Sequence, residues 1–250
     1  MSKVDSTQAV LDSMYYTTLP DGGPVYCETD LSHTVVEPLN AFSAFLFLFI
    51  VWYWFRKIKH DLKGYAFLGI SLLVLFIGGV GGTLYHAFRI HQAFLLMDYL
   101  PILILAFSAG VYFFIRIIPR WWIVIVIFVL FFLLQRSIYS YLPPGVGINV
   151  GYAVLAIFLL YPIVVFSART NFLKFRYILY AIVFFAIALF FRVADMWQNR
   201  TIDICTHWLW HIFGGLSSHL IIGYVYYSYA IAKTRVYQKF EEERAKEYPE

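Results

Sequence analysis

The chain has 250 residues, of which 61% are hydrophobic and only 14% charged. Soluble globular domains are about half apolar and a quarter charged, so this composition excludes a single soluble core and points to helices whose outer faces meet lipid. The formal net charge of +4 is read by position along the chain and not as a nucleic-acid signal.

Residues 1–35 carry acidic and polar groups and no apolar h-region, so no cleavable signal peptide is expected. They form an N-terminal extramembrane segment. The apolar runs that follow break at charged or turn-like residues. A bilayer core about 30 Å thick needs roughly 20 mostly apolar residues per spanning helix. Seven spans are expected, at Val36–Phe55, Tyr65–Phe88, Ala93–Ile115, Trp121–Leu142, Val146–Phe166, Phe175–Val193 and Thr206–Ala232. The fourth is the least clear, because its clean apolar stretch ends at Leu134 and Arg136 must snorkel toward an interface. Pro143-Pro144-Gly145 separates it from the fifth. Residues 36–232 thus read as one membrane domain and 233–250 as a charged cytosolic tail that extends the last helix.

With seven spans, 14 of the 19 Lys and Arg fall on one side and 5 on the other. The positive-inside rule makes the richer side cytosolic. The expected fold is therefore an all-α integral membrane bundle of seven transmembrane helices, N-terminus outside and C-terminus cytosolic. A bacterial inner membrane and an endoplasmic reticulum or Golgi membrane both fit. The Phe, Tyr and Trp residues are expected mostly at lipid-facing or interfacial positions.

Ionisable residues inside spans are expensive and usually functional. His86 ends the second span, Asp98 begins the third, and His207 and His211 open the seventh. This topology brings all four to the outer end of the bundle. His207 and His211, four apart on a helix, share one face and could bind one metal. His86 would complete a three-histidine site with an open position for water, and Asp98 could serve as general base. A structural network of polar groups is the competing reading. His91 is a rival ligand, His219 and Ser218 read as packing or polar glue, and Arg192 and Asp195 as a pair or as second contacts to the site.

At these residues the chain resembles the alkaline ceramidases, part of a superfamily of seven-helix membrane proteins that includes the adiponectin-type receptors. The matching pieces are Tyr26-Cys27-Glu28, Glu37-Pro38-Leu39-Asn40, Tyr85-His86-Ala87, Asp98-Tyr99-Leu100-Pro101 and the run from His207 to Leu216. The resemblance implies zinc held by His86, His207 and His211, water positioned by Asp98, and hydrolysis of the amide of a ceramide-like membrane lipid to a sphingoid base and a fatty acid. Gly82 stands where the family has a serine four residues before its first histidine. Thr83, offset by about 100° around the helix, is the candidate replacement as oxyanion donor. The family spacing from that histidine to the aspartate is one residue shorter than here. A lipid receptor or binding protein that keeps the zinc for structure is the alternative. A transporter would string polar residues through the bilayer, and a retinal protein would need a lysine in the seventh span.

Glu28, Asp30 and Glu37 are hard oxygen ligands on the outer side, suited to calcium, or else a solvated acidic loop. The resemblance implies a calcium site here, with the carbonyl of Tyr26 as a further ligand; Val25 replaces an expected aspartate, and Asp21 or water is the candidate substitute. Cys27 and Cys205, the two cysteines, both fall on the outer side and are candidates for a disulfide, or are two free thiols.

Overall fold

The computed structural model describes residues 19–196 and 205–232, with isolated positions 234, 238, 239 and 242 beyond them. The expected course of the tail and the start of the N-terminal segment lie outside the described residues. Seven helices are present among the described residues: α1 (Pro38–Ile58), α2 (Ala66–Phe88), α3 (Gln92–Ile117), α4 (Trp121–Tyr141), α5 (Pro144–Arg169), α6 (Arg176–Ala194) and α7 (His207–Ile231). Each overlaps one expected span, and no end differs by more than three residues. α4 runs unbroken past Leu134 to Tyr141. Pro143, extended at φ −53° and ψ 143°, stops it and leads into α5, which begins at Pro144. Proline suits that first position because its missing N–H has no helical partner there.

Six of these helices are long and apolar enough to cross a membrane. The protein is accordingly a helical membrane protein. Their large apolar side chains face outward in numbers that no soluble protein tolerates: Phe42, Trp52, Ile70, Leu73, Trp121 and Ile157 are all exposed. α7 is the exception. It has 25 residues, but His207, His211, His219, Ser217 and Ser218 dilute its apolar content.

The chain divides into two compact units. The first takes in the described residues up to Ile102 together with Arg176–Gly223, and the second takes Leu103–Phe175 with the chain from Tyr224 onward. In the second unit, Phe158 is the centre of an aromatic cluster, its ring 4.4 Å from that of Phe131 and 5.1 Å from that of Phe114. Gly110 admits it, since a Cβ there would lie 2.7 Å from Phe158 Cε1.

In the first unit α1 starts where α2 ends. The N–H groups of Val36 and Glu37 donate to the carbonyls of Ala87 and His86, at 2.9 and 3.1 Å. These bonds satisfy carbonyls that the end of α2 would leave open. They also set Glu37 beside His86. Glu28 caps α1: its carboxylate accepts from Leu39 N at 2.6 Å and Asn40 N at 2.9 Å. A carboxylate at a helix N-terminus meets both free N–H groups and the positive end of the dipole.

Candidate metal centre

α2 delivers His86 in its last turn, and α7 delivers His207 and His211 in its first two. All three imidazoles are buried, and their ligand atoms lie within 4.8 Å of one another. Among the described residues this is the only convergent group of three or more His, Cys, Asp or Glu. It could hold a metal ion.

The start of α7 is fixed by Asp195 at the end of α6. Its carboxylate accepts from Thr206 N at 2.7 Å, His207 N at 3.0 Å and Cys27 N at 3.1 Å. Asp195 thus caps a helix that begins 12 residues later, across a stretch outside the described residues. Arg192, read from the sequence as pairing with Asp195 or as a further contact to the site, lies over the ring of Trp210 at 5.7 Å. Cys27 and Cys205 form a disulfide with Cα atoms 5.2 Å apart, fastening the N-terminal segment beside the head of α7. Tyr26, next to it, lays its ring on His207 at 3.9 Å and reaches His86 at 5.4 Å.

The hydrogen bonds assign the imidazole protons. His211 Nδ1 lies 3.1 Å from the Asn40 carbonyl and 2.8 Å from Ser43 Oγ, whose own hydroxyl donates to that carbonyl at 2.9 Å. A carbonyl only accepts, so His211 carries its proton on Nδ1 and keeps the Nε2 lone pair. His86 Nδ1 faces Glu37 Oε2 at 2.5 Å; with the proton there, Nε2 presents its lone pair. This is the carboxylate–histidine arrangement that orients metal ligands. His86 Nε2 and His207 Nδ1 are buried with no hydrogen-bond partner. An unmade bond in a buried site costs about 1–3 kcal/mol. Two such imidazole nitrogens within one three-histidine cluster suit a metal ion, which would accept both lone pairs.

Asp98 stands outside the three-ligand group, within electrostatic range of His86, Glu37, Arg192 and Arg89. Glycines bring it there. A Cβ on Gly82 would overlap Asp98 Oδ1, and one on Gly81 would overlap Met97. Small residues let helices approach closely, so the Asp98 carboxylate rests on the backbone of α2 one turn before His86. Gly82 therefore leaves no room for a side chain without displacing Asp98. Thr83 Oγ1 donates to the Gly79 carbonyl at 2.7 Å, which commits its hydroxyl hydrogen within α2. His91 lies exposed in the turn after α2, its Nδ1 accepting from Ala93 N at 3.0 Å. His219 Nδ1 accepts from Trp54 Nε1 at 3.2 Å.

The acidic residues of the N-terminal segment do not converge on one point among the described residues. Glu28 caps α1. Asp30 is exposed and accepts from the amide and hydroxyl of Ser32, and these bonds hold its carboxyl below the usual carboxylate range. Glu37 is fully buried; besides His86 it accepts from Thr29 Oγ1 at 2.5 Å, Asn40 Nδ2 at 3.2 Å and Arg89 Nη1. The Tyr26 carbonyl accepts from Thr29 N at 3.1 Å.

No protein-family model matches the chain, and no curated protein matches it in sequence. The geometry is what speaks to function.

The sequence reading passed over Arg89. It caps α2 in the left-handed region at φ 54°, where glycine is usual and other residues cost roughly 1–2 kcal/mol. Its buried guanidinium grips Asp21, with Nε 2.6 Å from Oδ2, and bonds Glu37. The available signal was its position, an arginine three residues after a histidine in the last turn of an apolar helix.

Proposed function

We propose that the protein is a zinc-dependent membrane hydrolase of lipid amides, with ceramide-like lipids as substrate class. His86, His207 and His211 would hold the metal. Three nitrogen ligands with one position left open is a catalytic rather than a structural zinc arrangement. The observation that carries the reading is the pair of orphaned imidazole nitrogens, one of them on His86, which a carboxylate already orients. The resemblance to alkaline ceramidases supplies the substrate class. The full topology also belongs to this proposal: α7 as the seventh span, with the N-terminus outside. α7 has the length, and two of the residues that lower its apolarity, His207 and His211, are those the centre uses.

When bound, zinc lowers the pKa of water toward 7 and polarises a carbonyl. The rest falls to the chain. Asp98 takes the proton from the attacking water as its oxygen bonds to the amide carbon. As the carbon–nitrogen bond breaks, Asp98 passes that proton to the leaving nitrogen, giving a free amine and a fatty acid. Glu37 holds the His86 proton on Nδ1, and Asn40 with Ser43 does the same for His211. Calcium has no part in this reading, since the carboxylates expected to bind it have other partners.

One observation favours the receptor-like alternative. Gly82 offers no hydroxyl, and that of Thr83 is committed to Gly79, so no oxyanion donor stands out. Purified protein tested on short-chain ceramides and N-acyl amides separates the two. Hydrolysis that a zinc chelator abolishes and added zinc restores is the expected result. Saturable lipid binding with no product release establishes the receptor reading instead.

A further inference from the structure

Arg89 is fully buried, and no other fully buried side chain among the described residues is larger. Its guanidinium makes four hydrogen bonds with its five N–H donors. Nε and Nη2 meet the two Asp21 oxygens at 2.6 and 3.2 Å, Nη2 also donates to the Pro24 carbonyl at 2.8 Å, and Nη1 bonds Glu37 Oε1. The other Glu37 oxygen orients His86. One chain of hydrogen bonds therefore runs from Asp21 through Arg89 and Glu37 to a metal ligand. Asp21 and Glu37 are both buried, and two carboxylates in one dry pocket repel unless a cation lies between them.

The resemblance led us to expect calcium at this end of the molecule, and the residues present do not fit it. Calcium takes six to eight oxygen ligands. Val25 offers no side-chain oxygen, Glu28 is spent on the amides of α1, and Asp30 is outside with Ser32. The pocket that keeps two buried carboxylates and a carbonyl holds a guanidinium between them. The left-handed backbone at Arg89 points the same way, because glycine would end the helix more easily but could not fill the pocket.

We propose that Arg89 is a built-in cation of this centre, a positioning residue that fixes Glu37 against His86 and makes the metal centre independent of calcium. The inference rests on the metal-centre reading above. Orientation of a ligand by its outer partner typically accounts for 10–100-fold in metal affinity. Removing the guanidinium leaves four oxygens, two from Asp21 with Glu37 Oε1 and the Pro24 carbonyl, around a cavity that water can enter, so a calcium ion completed by water ligands should take its place.

The test measures zinc affinity by chelator competition and the thermal unfolding midpoint, on full-length protein in detergent, each in calcium-depleted buffer or with millimolar calcium. Wild type is expected to respond to neither. Arg89→Ala should lose about 10–100-fold in zinc affinity, with calcium returning most of the loss and raising its midpoint. Arg89→Lys keeps the charge without the fork. It should fall between the two and shift the visible spectrum of bound cobalt(II). A wild type whose zinc affinity or midpoint rises with calcium overturns the inference, as does an Arg89→Ala protein with unchanged zinc affinity. If Arg89→Ala does not fold, wild type and Arg89→Lys decide it by the same criteria. If wild type takes up no zinc, the metal-centre reading fails, and the calcium response of the midpoints still decides the role of Arg89.

Discussion

The two units of this protein bury different kinds of side chain. Every buried Asp, Glu, His and Arg among the described residues (Asp21, Glu37, His86, Arg89, Asp195, His207 and His211) belongs to the first unit. The second unit buries four hydroxyls: Ser167, Thr170 and Ser228 each donate to a carbonyl of their own helix, and Tyr224 pairs with Ser167 Oγ. Its interior is otherwise apolar, much of it aromatic. The difference shows where specificity lies. An aromatic cluster tolerates exchange as long as volume is kept. A chain of buried charges holds only while each member keeps its partner.

The largest contrast comes from removing a ligand in one unit and a ring in the other. His211→Ala should reduce metal content to background, whereas His219→Ala, two turns along the same helix, should leave it intact; elemental analysis of both variants checks this. Phe158→Ala should lower stability by about 3–5 kcal/mol through the cavity it leaves, seen as a lower unfolding midpoint, with metal content unchanged. Loss of metal in Phe158→Ala would mean that the division of labour is not real.

Smaller changes sharpen the comparison within the first unit. Glu37→Gln keeps shape but loses the charge that orients His86, and should weaken metal binding about 10–100-fold in chelator competition. Gly82→Ala places a Cβ against Asp98 and should cost about 1–3 kcal/mol of stability. It should also slow lipid hydrolysis while leaving metal content unchanged. Asp30→Asn should have the least effect. The depressed Asp30 carboxyl contributes stability above its ordinary pKa and loses it as pH falls through the folded value. The small gap in midpoint between wild type and Asp30→Asn should therefore exist at neutral pH and close in acid.

The helices were legible because lipid imposes one rule along the whole chain, and charged or proline-rich breaks punctuate it. α7 was legible by length and position, although its histidines and serines make it the least apolar. His86, Asp98, His207 and His211 emerged once topology set them at one end. What joins them did not. Glu37 meets His86 across 49 residues and Arg89 meets Asp21 across 68, contacts created by the docking of α1 onto the end of α2. In sequence, Glu28, Asp30 and Glu37 look like equivalent acids. Their partners separate them: the amides of a helix start, a serine in a surface turn, and an imidazole with a guanidinium. Gly82 read as a departure from the family pattern. In space it is what lets Asp98 touch α2.

Catalytic metal binding by His86, His207 and His211 is the proposal on which the rest depends. Its most direct test is the metal content of the wild-type protein purified without added metal, followed by reconstitution with cobalt(II). Stoichiometric zinc, and a visible cobalt spectrum of tetrahedral type, are the results the account predicts. A metal-free protein that takes up neither ion, yet is folded with its disulfide intact, would contradict it.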